Sequence, residues 1–199
     1  MRLRSAGPIG SLQVSSAMRE AKQVLLCGLG GQGVVLAGVL LGAAGFRQGL
    51  QVSGTSSYGS AARGGACRSE VVLASEAIAF PYVTKADVLV AFSQSAYNHY
   101  LPWTATPGGI VFFDDSEVEA DPSAAQRHIA VPATRTAERN LGTAVGANIV
   151  MLAAVVASTG LVAVESLTDA VLDGSPPRFR DLNGRALELG LQLANVLEP

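Results

Sequence analysis

An α/β domain on a mostly parallel sheet flanked by helices, with a helical C-terminal part, is predicted by three features of this 199-residue chain. Short apolar runs that end in polar residues recur through the first two thirds, as buried parallel strands do. Stretches of small and apolar residues with helical spacing alternate with them. From Thr136 onward only the helical texture remains.

"QVLLCGLGGQG" reads as a buried strand of about five residues that breaks into a glycine turn. "GVVLAGVLLGAAGFRQG" follows as a helix closing at Gly49. "LQVSGTSSYG" and "CRSEVVLAS" are strand-like, as are the continuous runs "ADVLVAFSQ" and "GGIVFFDD" and the short "RHIAVPAT". Between the third and fourth of these, "SAYNHYLPWTATPGG" allows a short helix and a turn. The tail reads as the helices "AERNLGTAVGANIVMLAAVVASTG", "VAVESLTDAVLDG" and "DLNGRALELGLQLANVLEP". "VESLTDAV" has a cap-like start and an end at Gly174. Residues 1–20 read as an N-terminal extension and 21–199 as one domain.

Charged residues make up 15% of the chain, against roughly 25% in ordinary soluble domains. So few charges fit a chain that covers much of its surface with other subunits. A net charge of −2, with no basic cluster, argues against nucleic acid as a partner. The most hydrophobic stretch, residues 149–157, is far short of the about 20 residues a membrane span needs. The basic start has no apolar segment behind it, so no signal peptide is expected. Two cysteines, Cys27 and Cys67, without a CxxC pair exclude an iron–sulfur or zinc site built by this chain alone, and they suit the cytoplasm.

Gly28, Gly30 and Gly33 fit GxGxxG between a strand and a helix, where the turn and the helix start offer free N–H groups to a phosphate. A tight turn that holds nothing has the same pattern. Dinucleotide binding further requires an acid about 20 positions on, and "GLQVSGTSSYG" contains none. A P-loop lysine is also missing, since Val34 and Val35 follow Gly33. If the turn is a phosphate cradle, the lack of a ribose acid and a P-loop lysine fits a different phosphate-bearing molecule.

"GLGGQGVVLAG", "SYGSAARGGACRSEVVL", "ADVLVAFSQSAYNHY" and "GANIVML" together resemble, in order, the γ subunit of 2-oxoacid:ferredoxin oxidoreductases, from about Val24 to Leu191. The resemblance implies a Rossmann-like fold. It also implies a complex that decarboxylates a 2-oxoacid, reduces ferredoxin and transfers the acyl group to coenzyme A. Thiamine diphosphate, magnesium and iron–sulfur clusters then belong to α, β and ferredoxin-like δ partners, and γ carries no catalytic or metal-ligating residue. It would help bind coenzyme A through Gly28, Gly30, Gly31, Gln32, Gly33, Tyr58, Arg63, Gly64 and Gly65. Tyr58-Gly59 before Arg63-Gly64-Gly65 looks most like the 2-oxoglutarate branch; the alternatives are a pyruvate, branched-chain or aryl 2-oxoacid enzyme. One departure is Ala61, where that branch usually carries Glu.

Each candidate also has a structural reading. Arg63, flanked by small residues, can grip a phosphate bidentately or bridge to a neighbouring subunit. Gln32 can donate to a phosphate or cap the helix, and Tyr58 reads as an interface or stacking aromatic. Ser93, Gln94 and Ser95 end a strand where α/β sheets bind ligands, and each can equally cap the next helix. Asp114 and Asp115 lack further ligands nearby in sequence for a metal. His99 and His128 read as surface or interface groups, Cys27 and Cys67 as packed thiols, and Asn148 as a partner for nearby backbone.

Overall fold

The computed structural model describes residues 21–59 and 65–197. The 1–20 extension, Arg63 and Gly64 lie outside the described residues.

The strands are β1 (Lys22–Leu29), β2 (Gln51–Tyr58), β3 (Ala66–Ala74), β4 (Val88–Ala91), β5 (Ile110–Asp114) and β6 (Arg127–Val131). The helices are α1 (Val34–Arg47), α2 (Gln94–Tyr100), α3 (Ala133–Leu141), α4 (Ala147–Thr159), α5 (Val164–Gly174) and α6 (Arg180–Ala194). All six sequence-read strands are present. They form one sheet in the order β2-β3-β1-β4-β5-β6.

From β1 outward through β4, β5 and β6 every pairing is parallel. On the other side β3 runs antiparallel to both β1 and β2. The cause is chain length: residues 59–65 join β2 to β3, too few for the crossover that a parallel pair needs.

Alternation along the strands divides the core into two layers. Val24, Leu26, Val71, Leu73, Val90 and Phe112 face the layer that contains α1, α3, α4, α5 and α6. Leu25, Cys27, Val72, Leu89, Val111 and Phe113 face the opposite layer, where α2 supplies Ala96, Tyr97 and Tyr100. α4 is buried from Asn148 through Val156, with no polar stripe, as a helix enclosed by others must be.

Two readings of the helical tail need correction. The stretch from Ala137 to Gly160 is two helices, broken where Gly142 (φ 74°) and Gly146 (φ 103°) take left-handed backbone. α5 has no side-chain cap: Ala163 stands at its N-cap position. Gly49 does close α1 as read, with φ 85°, its N–H donating to the Phe46 carbonyl and that of Leu50 to Gly45.

Beneath the sheet, the Tyr97 hydroxyl accepts from the Asp121 N–H (2.8 Å) and lies 2.9 Å from His128 Nε2. His128 Nδ1 faces the Gln126 carbonyl at 2.8 Å, so in the neutral ring it carries the proton and Nε2 accepts from the phenol. Burial pushes the Tyr97 pKa up, which keeps that phenol a donor. Tyr97→Phe should cost about 1–2 kcal/mol through two lost partners, read as a lower urea midpoint at unchanged m-value.

Candidate functional site

Chain direction makes β1 a branch point. α1 carries the chain to the β2–β3 side, whereas β4 lies on the other flank of β1. Ligand sites in open α/β sheets form beyond the carboxyl ends of strands that part in this way. Here a cleft of about 360 Å³ opens between the glycine turn, Phe92 after β4, Thr134 on α3 and the entry to α4 from Val145 to Asn148.

The glycines of the turn serve different ends. A Cβ at Gly28 would fall 2.6 Å from Gln32 Oε1 and 2.9 Å from Phe92 Cβ, so close packing requires glycine there. Gly33, at φ 72°, has Asn148 Nδ2 only 2.5 Å from where its Cβ would be, and that amide donates to the Gly33 carbonyl at 3.1 Å. Asn148 thus serves nearby backbone, as the sequence suggests. Gly31, at φ 107°, has open space on its Cβ side and faces the cleft.

Gly30 donates its N–H to the Gly65 carbonyl at 2.8 Å, tying the turn to the end of the Arg-Gly-Gly loop. Gln32 accepts from the Leu29 N–H and donates to the Phe92 carbonyl, both at 2.7 Å. Its amide braces the turn against β4 and does not cap α1, and Gln32 also lines the cleft.

Two helices begin at the cleft. α1 and α4 each start from a left-handed glycine, with no side-chain cap and no acid in the first turn. Their positive dipole ends favour an anion between them, although in the first turn of α4 the Ala147 and Ile149 N–H groups already donate to the Ala144 and Gly146 carbonyls. One feature opposes this, since Glu117 stands on the rim. Thr134 is already engaged, its N–H and hydroxyl bonding the buried Asp114 carboxylate at 2.9 and 2.6 Å. Asp114 thus fastens α3 to β5, and Asp115 pairs with Arg135. Among the described residues, no three His, Cys, Asp or Glu side chains are grouped to hold a metal ion.

Tyr58 is 69% exposed and borders a second groove, with Leu29 to Gly31, Gly33 to Leu36 and Cys67, on the other side of the turn. Cys67 and Cys27 are buried, and burial pushes both thiols up. Arg68 does not activate Cys67, because it points to the opposite sheet face, bridging Glu70 at 3.1 Å over Trp103. Ser93 caps α2 by accepting from the Ala96 N–H, Gln94 bonds both backbone groups of Glu119, and Ser95 is exposed. His99 is exposed and packs edge-on against Tyr100.

Of the α4 wall of the cleft, the sequence picked out Asn148, as a partner for backbone, and not Val145 to Ala147. Its trace was present, because Gly146 precedes an apolar helix just as Gly33 does.

Residues 23–193 match the sequence signature of the family described as pyruvate ferredoxin/flavodoxin oxidoreductase. The chain is 41% identical over 183 residues to the 2-oxoglutarate synthase subunit KorC of Methanocaldococcus jannaschii, covering 90% of this chain and 97% of that protein. It is 39% identical over 178 residues to the same-named subunit of Methanothermobacter thermautotrophicus, covering 86% and 94%. The crystal structure of a keto/oxoacid ferredoxin oxidoreductase γ subunit from Geobacter sulfurreducens superposes with a TM-score of 0.77. That match has 34% identity and covers 88% of this chain and 99% of that one. The chain belongs to the pyruvate ferredoxin/flavodoxin oxidoreductase family, as one of its γ-type subunits.

Proposed function

We propose that this γ-type subunit serves a cytoplasmic 2-oxoacid:ferredoxin oxidoreductase acting on 2-oxoglutarate, and that its cleft receives the phosphate-bearing end of coenzyme A. The observation that carries the coenzyme A role is the meeting of two uncapped, acid-free helix starts across one cleft. Coenzyme A presents a diphosphate and a 3′-phosphate, and opposed helix N-termini suit such charges. Gly31 leaves the backbone open to close approach. The 2-oxoglutarate assignment draws on the KorC relatives and on the Tyr58 to Gly65 loop sequence.

In this reading the partners hold thiamine diphosphate, which supplies decarboxylation. The partners would also hold iron–sulfur clusters, which supply electron transfer to ferredoxin, and coenzyme A would be the acyl acceptor. The chain orients the thiol carrier from the phosphate end. Arg63 adds a charge-assisted contact.

A second reading, a purely structural subunit, has an observation of its own. Gly28 and Gly33 are required by internal packing, and Gly30 and Gln32 spend their polar groups within the chain.

Steady-state ferredoxin reduction by the assembled complex separates the two. Val145→Glu, which sets a carboxylate at the cleft mouth against the phosphates, and Arg63→Ala, which removes one charge-assisted contact, should each raise the apparent KM for coenzyme A roughly ten-fold with kcat near unchanged. Unchanged coenzyme A dependence in both variants, with Arg63→Ala weakening assembly on gel filtration, removes the ligand reading and leaves the structural one.

A further inference from the structure

α1 and β2 reach solvent together along one edge of the molecule. β2 is the outer strand there, eight residues long, and QVSGTSSY carries neither charge nor proline. Natural sheets shield such edges with charges, proline, bulges or a covering element. Ser53 does reach the Pro81 carbonyl, on the face turned away from α1. Beside the strand, α1 leaves Leu36, Val39 and Phe46 at 41, 60 and 75% exposure, with Ala43 half-buried between them. Positions 36, 39, 43 and 46 have the spacing of a two-helix packing seam. Between seam and strand lies a groove of about 210 Å³ formed by Gly38, Gly42, Gly54, Val39 and Ser56 among others.

We infer that this edge pairs with a second copy of the chain, β2 against β2 and α1 against α1, both antiparallel about one two-fold axis. The pairing joins two sheets into one and buries both seams.

Self-pairing is favoured over an unrelated partner by symmetry. An isologous contact requires a surface that matches itself on reversal. The seam does so, since reversal sets Leu36 against Phe46 of the second copy and Val39 against its Ala43. β2 reverses about Gly54, which sets Val52 against Ser56 of the second copy and keeps every side chain on its own face of the sheet. The two midpoints also coincide. Gly38 packs on Ser69, which pairs with Ser56, while Gly42 and Gly45 pack on Val52. α1 therefore runs antiparallel to β2, with the middle of the seam over the middle of the strand. A different subunit would need neither reversal nor coincidence. No charge lies on seam or strand, so doubling the surface brings no like charges together. Arg47, at the end of α1, is held by Asp173 at 2.7 Å.

Sedimentation equilibrium on the purified full chain should give a dimer at micromolar concentration. Val39→Glu and Phe46→Glu place carboxylates in the seam from exposed positions, so each should leave the circular dichroism unchanged and weaken the dimer at least about a hundred-fold. Thr55→Cys, treated with a short bismaleimide in the assembled oxidoreductase, should link two copies of this chain; Cys27 and Cys67 are buried and do not compete. A monomeric wild-type chain, a dimer indifferent to both glutamates, or a link from position 55 to a different subunit would each overturn the inference.

Discussion

Gly190→Ala is expected to lower the free energy of unfolding by about 3 kcal/mol, at the upper end for overpacked cores. Gly190 lies on α6 where it crosses α4, and an added Cβ would overlap the Val150 carbonyl oxygen and come within 2.6 Å of Ala153 Cβ. The oxygen belongs to the main chain of a helix buried on all sides, so no rotamer can relieve the overlap and the two helices must separate. Alanine's better helix propensity returns about 1 kcal/mol. Gly184, on the same helix, shows that gain unopposed: its Cβ would meet Leu172 Cδ2 at an ordinary 3.5 Å. Gly184→Ala should therefore stabilise by about 0.5–1 kcal/mol. Urea denaturation of both variants at equal m-value checks the pair, and equal signs would contradict the packing account.

Gly33→Ala should cost a similar amount for two separable reasons. Left-handed backbone at φ 72° costs a non-glycine residue about 1–2 kcal/mol. The methyl must also displace the Asn148 amide, losing its bond to the Gly33 carbonyl, about 1 kcal/mol more. The second part vanishes if Asn148 is already alanine, so a double-mutant cycle should show coupling of about 1 kcal/mol. Zero coupling would mean that the turn and α4 do not restrain each other. Because both residues line the cleft, the same cycle run on the KM for coenzyme A reports whether that restraint shapes the site.

The fold was legible because its strands are continuous apolar runs with clear punctuation. "ADVLVAFSQ" and "GGIVFFDD" fill β4 and β5, and the glycine-rich "CGLGGQG" marks the end of β1. Strand direction was less legible. The antiparallel β2–β3 hairpin follows from a connection too short for a crossover, a constraint of length and not of residue type. The break between α3 and α4 was hidden because Leu141, Ala144, Val145 and Ala147 surround Gly142 and Gly146, leaving the apolar texture interrupted only by Thr143.

At the site the glycine spacing located the turn but not the groups that surround it. GxGxxG tells that side chains are excluded, not what excludes them. At Gly28 the local Gln32 is joined by Phe92, 64 positions away along the chain, and at Gly33 the excluding group is Asn148, 115 positions away. Contacts at that range leave no local trace. Gln32 was ambiguous for the same reason, since its second partner, the Phe92 carbonyl, is brought alongside only when β4 joins β1.

The burial of α4 has a consequence for timing. A helix enclosed from Asn148 to Val156 gives up its amide protons to deuterium only when much of the molecule opens, so its interior turns should be among the slowest to exchange. Its first turn is also one wall of the cleft. That wall stands rigid before any visitor arrives, and binding against it forfeits little disorder.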